Sequence, residues 1–251
     1  MKRYFSFFLG LVCALHPATI HANSDNHFAL PETCRQLIVG ITEDWNSSDV
    51  TLQKWVKRND GWQPYGQSWR GKVGRDGLAW GVGLHSETIA KIGEPIKTEG
   101  DWRAPAGVFE LGDVYGYAPS FNSSTLLRYH TVTENDLWIE DPASIYYNTH
   151  VRLSYPPSNE WEKKQQMRVN DSAHRLKLFI LHNAPPNAIP GAGSSIFFHI
   201  WRNGKPSSGC TVMPAKSLIK LVEWLHPMLH PLFVLLPKPV YQELLKPWGL
   251  P

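Results

Sequence analysis

Short strand-like runs separated by turn-forming residues are the feature that most restricts how this chain can fold. Each run is five to eight residues long, and most are flanked by Gly, Pro, Asn or Asp. Glycine and proline together make up about 16% of the chain, compared with roughly 12% in average proteins. Runs of this length between turns are typical of β-strands rather than of long helices. The runs that predict strands are residues 35–41, 50–56, 61–68, 105–111, 175–182, 195–201 and 232–236.

The spacing of apolar residues predicts one amphipathic helix. Leu218, Leu221, Val222 and Leu225 follow the spacing of one helix face, shortly after Pro214. The fold class predicted from these patterns is mainly β with a few short helices (α+β).

Residues 116–170 are irregular, polar and rich in Tyr and Trp. Long insertions of this kind in a compact domain are usually functional loops or lids. We therefore expect a long aromatic loop insertion in the β domain.

The N-terminus has the pattern of a secretory signal peptide. Lys2 and Arg3 precede an apolar stretch at residues 4–15, and Ala22 offers a cleavage site. The predicted organisation is a signal peptide at residues 1–22, a catalytic domain at residues 34–237, and a C-terminal extension at residues 238–251 that packs on the domain. Because no later stretch of 18 residues is apolar, we expect a periplasmic protein without a membrane span after cleavage.

Charge and composition exclude several classes of function. Lys and Arg total 25 against 22 Asp and Glu, so the chain has no strongly basic field for nucleic acid. The Gly-rich residues 73–83 do not connect a strand to a helix, which argues against a nucleotide-binding loop. We expect no nucleic-acid partner, no cofactor and no metal, since the His residues have no ligand-like spacing with a cysteine.

Two cysteines, Cys34 and Cys210, lie outside the predicted signal peptide. An oxidising compartment favours a disulfide between them, whereas a nucleophilic cysteine must stay free. His199 lies near the end of a predicted strand, eleven residues before Cys210. A thiol has a free pKa of about 8.5, and a nearby imidazole can take its proton or hold it as a thiolate–imidazolium pair. The small residues Ser208 and Gly209 open the turn, and the N–H groups of Gly209 and Cys210 are candidates to bind an oxyanion.

The segments SSIFFH (residues 194–199) and SSGC (residues 207–210) resemble the L,D-transpeptidase catalytic-domain family (YkuD-like). The short spacing between His and Cys is similar to that of the proteobacterial branch of the family. The resemblance covers most of the chain after the signal peptide. Further segments that resemble the family, in the same order, are residues 35–39, 73–81, 97–109 and 138–148.

The resemblance implies a β-sandwich or barrel-like catalytic domain that acts on peptidoglycan stem peptides. It implies that Cys210 attacks a peptide carbonyl to form a thioester, with His199 as general base and later general acid, and that carbapenems acylate Cys210. A free Cys210 argues against a disulfide with Cys34. Alternatives are an L,D-carboxypeptidase or other hydrolytic enzyme using the same residues, and an inactive cell-wall-binding module. Protein partners are not indicated.

The sequence departs from the commoner family pattern around the cysteine. Ile200 stands where a Gly usually follows the His, Ser208 where a second His occurs, and Val212 where an Arg occurs. That Arg would bind a substrate carboxylate or stabilise charge, so another cation has to replace it. Arg202 and Arg128 are candidates.

His182 and Tyr147 are further candidates from the sequence. Either side chain is of a type that orients an imidazole or holds a substrate by hydrogen bonds. Core or loop packing is the ordinary role for such residues, and orientation of His199 or substrate binding is the further role for which each is a candidate.

Overall fold

The structure is a computed structural model that describes residues 28–86, 89–121 and 123–251. The predicted signal peptide at residues 1–22 lies outside the described residues. Within the described part of the chain, no helix is both long enough and apolar enough to cross a bilayer.

Most elements are strands, as the sequence predicts. In chain order the strands are β1 (Gln36–Thr42), β2 (Asp49–Arg58), β3 (Gly61–Lys72), β4 (Leu78–Trp80), β5 (Ala104–Gly116), β6 (Tyr129–Thr131), β7 (Asp136–Trp138), β8 (His150–Arg152), β9 (Leu176–Ile180), β10 (Phe197–Ile200), β11 (Thr211–Met213) and β12 (Leu232–Pro237). The α-helices of the described residues are α1 (Glu160–Lys164), α2 (Ala215–Trp224) and α3 (Lys238–Leu244).

The main sheet curves back on itself. Its strand order is β12-β1-β2-β3-β11-β10-β9-β5, and β12 also pairs with β5, which closes the path. Most pairs are antiparallel, but β1 is parallel to β12 and β10 is parallel to β11. The expected class, a mainly β domain with barrel-like closure and short helices, is confirmed.

The interior of this sheet holds the main core. β1 is buried along nearly its whole length because it lies between β2 and β12. Phe198 on β10 packs against Phe233 on β12, with ring centroids 4.6 Å apart. Burying one such side chain contributes about 1.5–3 kcal/mol, so these contacts hold β10, which carries His199, against the opposite side of the closed sheet.

The predicted insertion, residues 116–170, has more regular structure than its sequence suggests, since β6, β7, β8 and α1 all lie within it. Polar contacts organise it. The buried Asp136 carboxylate accepts hydrogen bonds from His150, Arg152 and Thr133. Burial alone disfavours its charge, but the bonds from Arg152 and Thr133 outweigh burial and lower the pKa of Asp136 to about 2. A charged centre of this kind leaves no hydrophobic periodicity in the sequence, and for that reason the segment looked structureless.

The C-terminal residues contact the same core. α3 follows β12 directly, and Trp248 and Leu250 are buried among the side chains of the main core. Trp248 also accepts a hydrogen bond from the Leu30 N–H at 3.0 Å through its carbonyl.

Candidate active site

His199 lies on β10, and Cys210 directly precedes β11, the adjacent parallel strand. In the register of β10 with β11, Phe198 lies opposite Thr211 and His199 opposite Val212. Side chains alternate between the two faces of a strand, so His199 and the residue just before β11, Cys210, face the same side. Both line one pocket of about 360 Å³.

Cys210 is a half-buried free thiol, and Cys34 is a buried free thiol. The alternative of a disulfide between them is therefore wrong. The thiol of Cys210 donates to the Ser195 carbonyl, and its sulfur accepts from the Phe197 N–H, both at 3.4 Å. Burial raises the pKa of Cys210 to about 11, against the opposing effects of the Phe197 N–H and the Lys177 charge. At neutral pH the residue is a protonated thiol.

The position of the Ser195 carbonyl depends on Asn148. Both residues have left-handed backbone conformations, with φ of 57° each. Asn148 is buried, and its side-chain oxygen accepts from the Ser195 N–H and from the Trp138 indole, each at 2.9 Å. Its amide donates to the His182 and Asn183 carbonyls. One side chain thus links the insertion to the loop before β10 and sets the group that holds the thiol.

His199 is buried, and its tautomer follows from one contact. Nδ1 lies 2.8 Å from the Ile200 carbonyl, which can only accept, so Nδ1 carries the proton. The lone pair of the neutral ring is then on Nε2. The ring stacks on His174, with centroids 4.6 Å apart. Burial lowers the pKa of His199 to about 4. Of the two states left open by the sequence, the resting site has the thiol and the neutral imidazole, not the ion pair.

Arg202, a predicted candidate, lies at the edge of this pocket. It forms an ion pair with Asp171 and donates to His174 Nε2 at 3.2 Å. Burial, together with the charges of His199, Lys177 and Arg202, lowers the pKa of His174 to about 3. The second candidate, Arg128, does not line the pocket.

The turn before Cys210 is held by Ser207. Its hydroxyl donates to the Cys210 carbonyl at 2.6 Å and accepts from the Gly209 N–H at 3.0 Å. The Gly209 N–H is therefore bonded within the turn rather than open to an oxyanion, as the sequence had suggested. There is little space for a side chain at Gly209, because a Cβ there would lie 3.1 Å from the Arg103 carbonyl oxygen and one of the two would have to shift by a few tenths of an ångström. Ser208 is exposed and does not line the pocket.

His182 and Tyr147 are not brought to this pocket. His182 is fully buried, accepts from the Val82 N–H and donates to the Ala192 carbonyl, so neither nitrogen remains for His199. Tyr147 donates to Glu99 at 2.7 Å. A role in orienting His199 does not agree with these contacts, because each side chain is hydrogen-bonded to residues other than His199.

Sequence reasoning missed four charged residues that line the pocket, Glu140, Lys164, Asp171 and Lys177. Lys177 on β9 lies opposite His199 in the strand register, and Glu140 lies at the mouth of the pocket near the Ser195 hydroxyl. A lysine inside the apolar run LKLFI was a visible signal for Lys177. Glu140 carried no comparable signal.

The pocket continues into a longer groove. It shares Gln166, Val169 and Asp171 with a neighbouring depression of about 730 Å³. That depression in turn shares Tyr117 and Arg175 with a third depression, which has a volume of about 510 Å³. Much of the groove wall comes from the insertion, residues 116–170.

Comparison with known families agrees with this geometry. The L,D-transpeptidase catalytic domain family, YkuD, matches residues 53–234, more than two thirds of the chain. The chain therefore belongs to this family, whose members are cysteine-dependent enzymes with L,D-transpeptidase-type activity on peptidoglycan. The family resemblance seen in the sequence is confirmed, and the matched span includes both His199 and Cys210. No curated protein and no solved structure matches the chain significantly.

Proposed function

We propose that this protein is a periplasmic L,D-transpeptidase that cross-links peptidoglycan stem peptides through a thioester on Cys210. His199 is the general base and then the general acid. The observation that carries the proposal is the fixed tautomer of His199, whose unprotonated Nε2 shares a pocket with the Cys210 thiol. A module that only binds the wall needs neither a thiol nor an oriented base.

The reaction starts from the neutral pair. As the sulfur attacks the carbonyl carbon of the L-centre residue, the thiol proton passes to His199. The carbon–nitrogen bond then breaks, and the departing D-amino acid takes that proton on its amino group. The thioester that remains is attacked by an amine of a second stem, and the sulfur leaves and regains a proton. Water in place of the amine gives hydrolysis.

The groove supports cross-linking over hydrolysis. Cross-linking requires a donor and an acceptor chain to meet at the thioester, whereas hydrolysis requires only the donor. Two depressions extend away from the Cys210 pocket, and each is larger than that pocket. They provide room for a second peptide.

The test is mass spectrometry of purified muropeptides incubated with the protein. We expect a cross-linked dimer, release of a terminal D-amino acid, and an acyl adduct on the enzyme. Cys210→Ala should abolish all three products, and Cys34→Ala, which removes the other free thiol of the described residues, should retain them.

Each other outcome contradicts a defined part of the proposal. A trimmed monomer without any dimer would make the protein an L,D-carboxypeptidase. Turnover that survives in Cys210→Ala would exclude the thioester mechanism. Binding of muropeptides without any product would identify a wall-binding module.

A further inference from the structure

A buried lysine lies beside the Cys–His pair. In the sheet register, Lys177 on β9 lies opposite His199 on β10, and it is 5% exposed. It lines the same pocket as His199 and Cys210. On the other side of His199, β11 presents Val212, which has no charge. Lys177 is therefore the cation that the sheet itself places next to the reacting residues.

The ammonium of Lys177 has few partners for a buried charge. Among the described residues, the structure gives it one hydrogen bond, to the Met167 carbonyl at 3.1 Å. It also lies 5.4 Å from the centre of the Phe197 ring. An ammonium has three donors, and burying a charge without compensation is costly. The remaining donors are thus available for an anion in the pocket.

Several titratable groups surround Lys177, and few of them can supply that anion. Glu140 is one, but the Ser195 hydroxyl bonds it at the pocket mouth. The other is Cys210 once it loses its proton. The groups that face Lys177 are Tyr115 on β5, His199 on β10, Cys210 before β11, His174 in the turn before β9, and Glu140 in the insertion. The same pocket is also lined by Lys164 and by Asp171, whose carboxylate is already paired with Arg202.

We propose that the Lys177 ammonium stabilises the negative charge that develops on the Cys210 sulfur during attack. The inference rests on the function proposed above. It assigns to Lys177 the charge-stabilising role of the arginine that the commoner family pattern has at the position of Val212. The ammonium acts through space on the sulfur. The same charge also favours the neutral form of His199, which is the form that can accept the thiol proton.

Burial limits the pH range of this effect. It lowers the pKa of Lys177 to about 8, although Cys210 and Glu140 act in the opposite direction. Lys177 is charged below pH 8 and neutral well above it. Its stabilisation of the thiolate must therefore decrease as the pH rises through 8.

The test is the rate of Cys210 alkylation by iodoacetamide between pH 6 and 10, followed by intact mass. Lys177→Gln removes the charge and keeps an N–H donor for Met167, while Lys177→Arg keeps a charge that does not titrate in this range. Lys164→Gln is the matched control, because Lys164 lines the same pocket but is exposed. Thermal unfolding of each variant is measured on the same samples.

We expect Lys177→Gln to alkylate about tenfold more slowly than wild type at pH 6.5, with the two rates converging by pH 9.5. Lys177→Arg should still alkylate faster than Lys177→Gln at high pH, because its charge does not titrate in this range. Lys164→Gln should alkylate at the wild-type rate throughout. The wild-type profile alone should bend near pH 8, which tests the inference even if both Lys177 variants fail to fold.

A wild-type profile without a bend, or a Lys177→Gln rate equal to wild type at pH 6.5, overturns the inference. A rate difference that stays constant from pH 6 to 10 does so as well, since it would reflect packing instead of charge. Alkylation requires no muropeptide, so these results stand apart from the test of the proposed function. Wild type that cross-links muropeptides but shows no Lys177 effect refutes this inference alone.

Discussion

Replacing Asn148 with alanine removes a side chain that connects three segments around Cys210. Its oxygen accepts from Trp138 and Ser195, and its amide donates to the carbonyls of His182 and Asn183. Asn148 is 1% exposed, so water does not replace these partners easily. We expect the variant to lose stability and, because the Ser195 carbonyl holds the thiol, activity as well.

The size of the loss can be worked out from the contacts. The Trp138 and Ser195 N–H groups become buried donors without an acceptor, at about 1–3 kcal/mol each. Alanine also adopts the left-handed backbone at a cost of about 1 kcal/mol. The expected decrease in the free energy of unfolding is about 4 kcal/mol, a large part of a typical stability of about 5–15 kcal/mol. The corresponding fall in Tm is about 10 °C.

Thermal and urea unfolding measure this change, and Asn203→Ala is the matched control. Asn203 also has a left-handed φ, of 51°, but is exposed. It should show the backbone cost alone, about 1 kcal/mol. Muropeptide turnover, assayed well below the Tm of the variant, should fall about ten- to a hundredfold in Asn148→Ala, since small displacements of reacting groups have effects of this size.

Two results would refute this reasoning. The first is an Asn148→Ala protein that loses no more stability than Asn203→Ala, which would mean that the four buried hydrogen bonds contribute nothing. The second is an Asn148→Ala protein that is less stable but fully active. This result would mean that Asn148 is not needed to position the thiol through the Ser195 carbonyl.

The remaining predictions concern the thiol. Because burial raises the pKa of Cys210 to about 11, its alkylation should be slow at pH 7 and increase up to pH 10 and beyond; a rate at pH 7 equal to that of free cysteine would contradict a resting neutral thiol. A carbapenem should form one covalent adduct, measured by intact mass, with wild type and with Cys34→Ala but none with Cys210→Ala. An adduct on Cys34 would show that the acylated nucleophile is not Cys210.

The sequence alone was enough to predict the helix α2 and seven of the eight strands that build the closed sheet, all except β11. These elements carry their signal locally, in strand-length runs of buried residues or in the spacing of one helix face. The insertion was read as irregular because Asp136, His150 and Arg152 organise it by charge, and charge pairs leave no periodic pattern.

The reactive pair was also visible in the sequence. His199 and Cys210 are eleven residues apart, and the small residues between them restrict the turn, so their meeting depends on local chain geometry. The family match over residues 53–234 agrees with that interpretation.

Only the tertiary structure decided what surrounds the pair. Lys177 faces His199 because of the register between β9 and β10, and Asn148 reaches Ser195 across 47 residues of chain. His182, expected near His199, bonds Val82 and Ala192 instead. A buried polar group must satisfy its hydrogen bonds with whatever the fold brings close, and that partner is set by strand register and loop path, which residues distant in the sequence determine together.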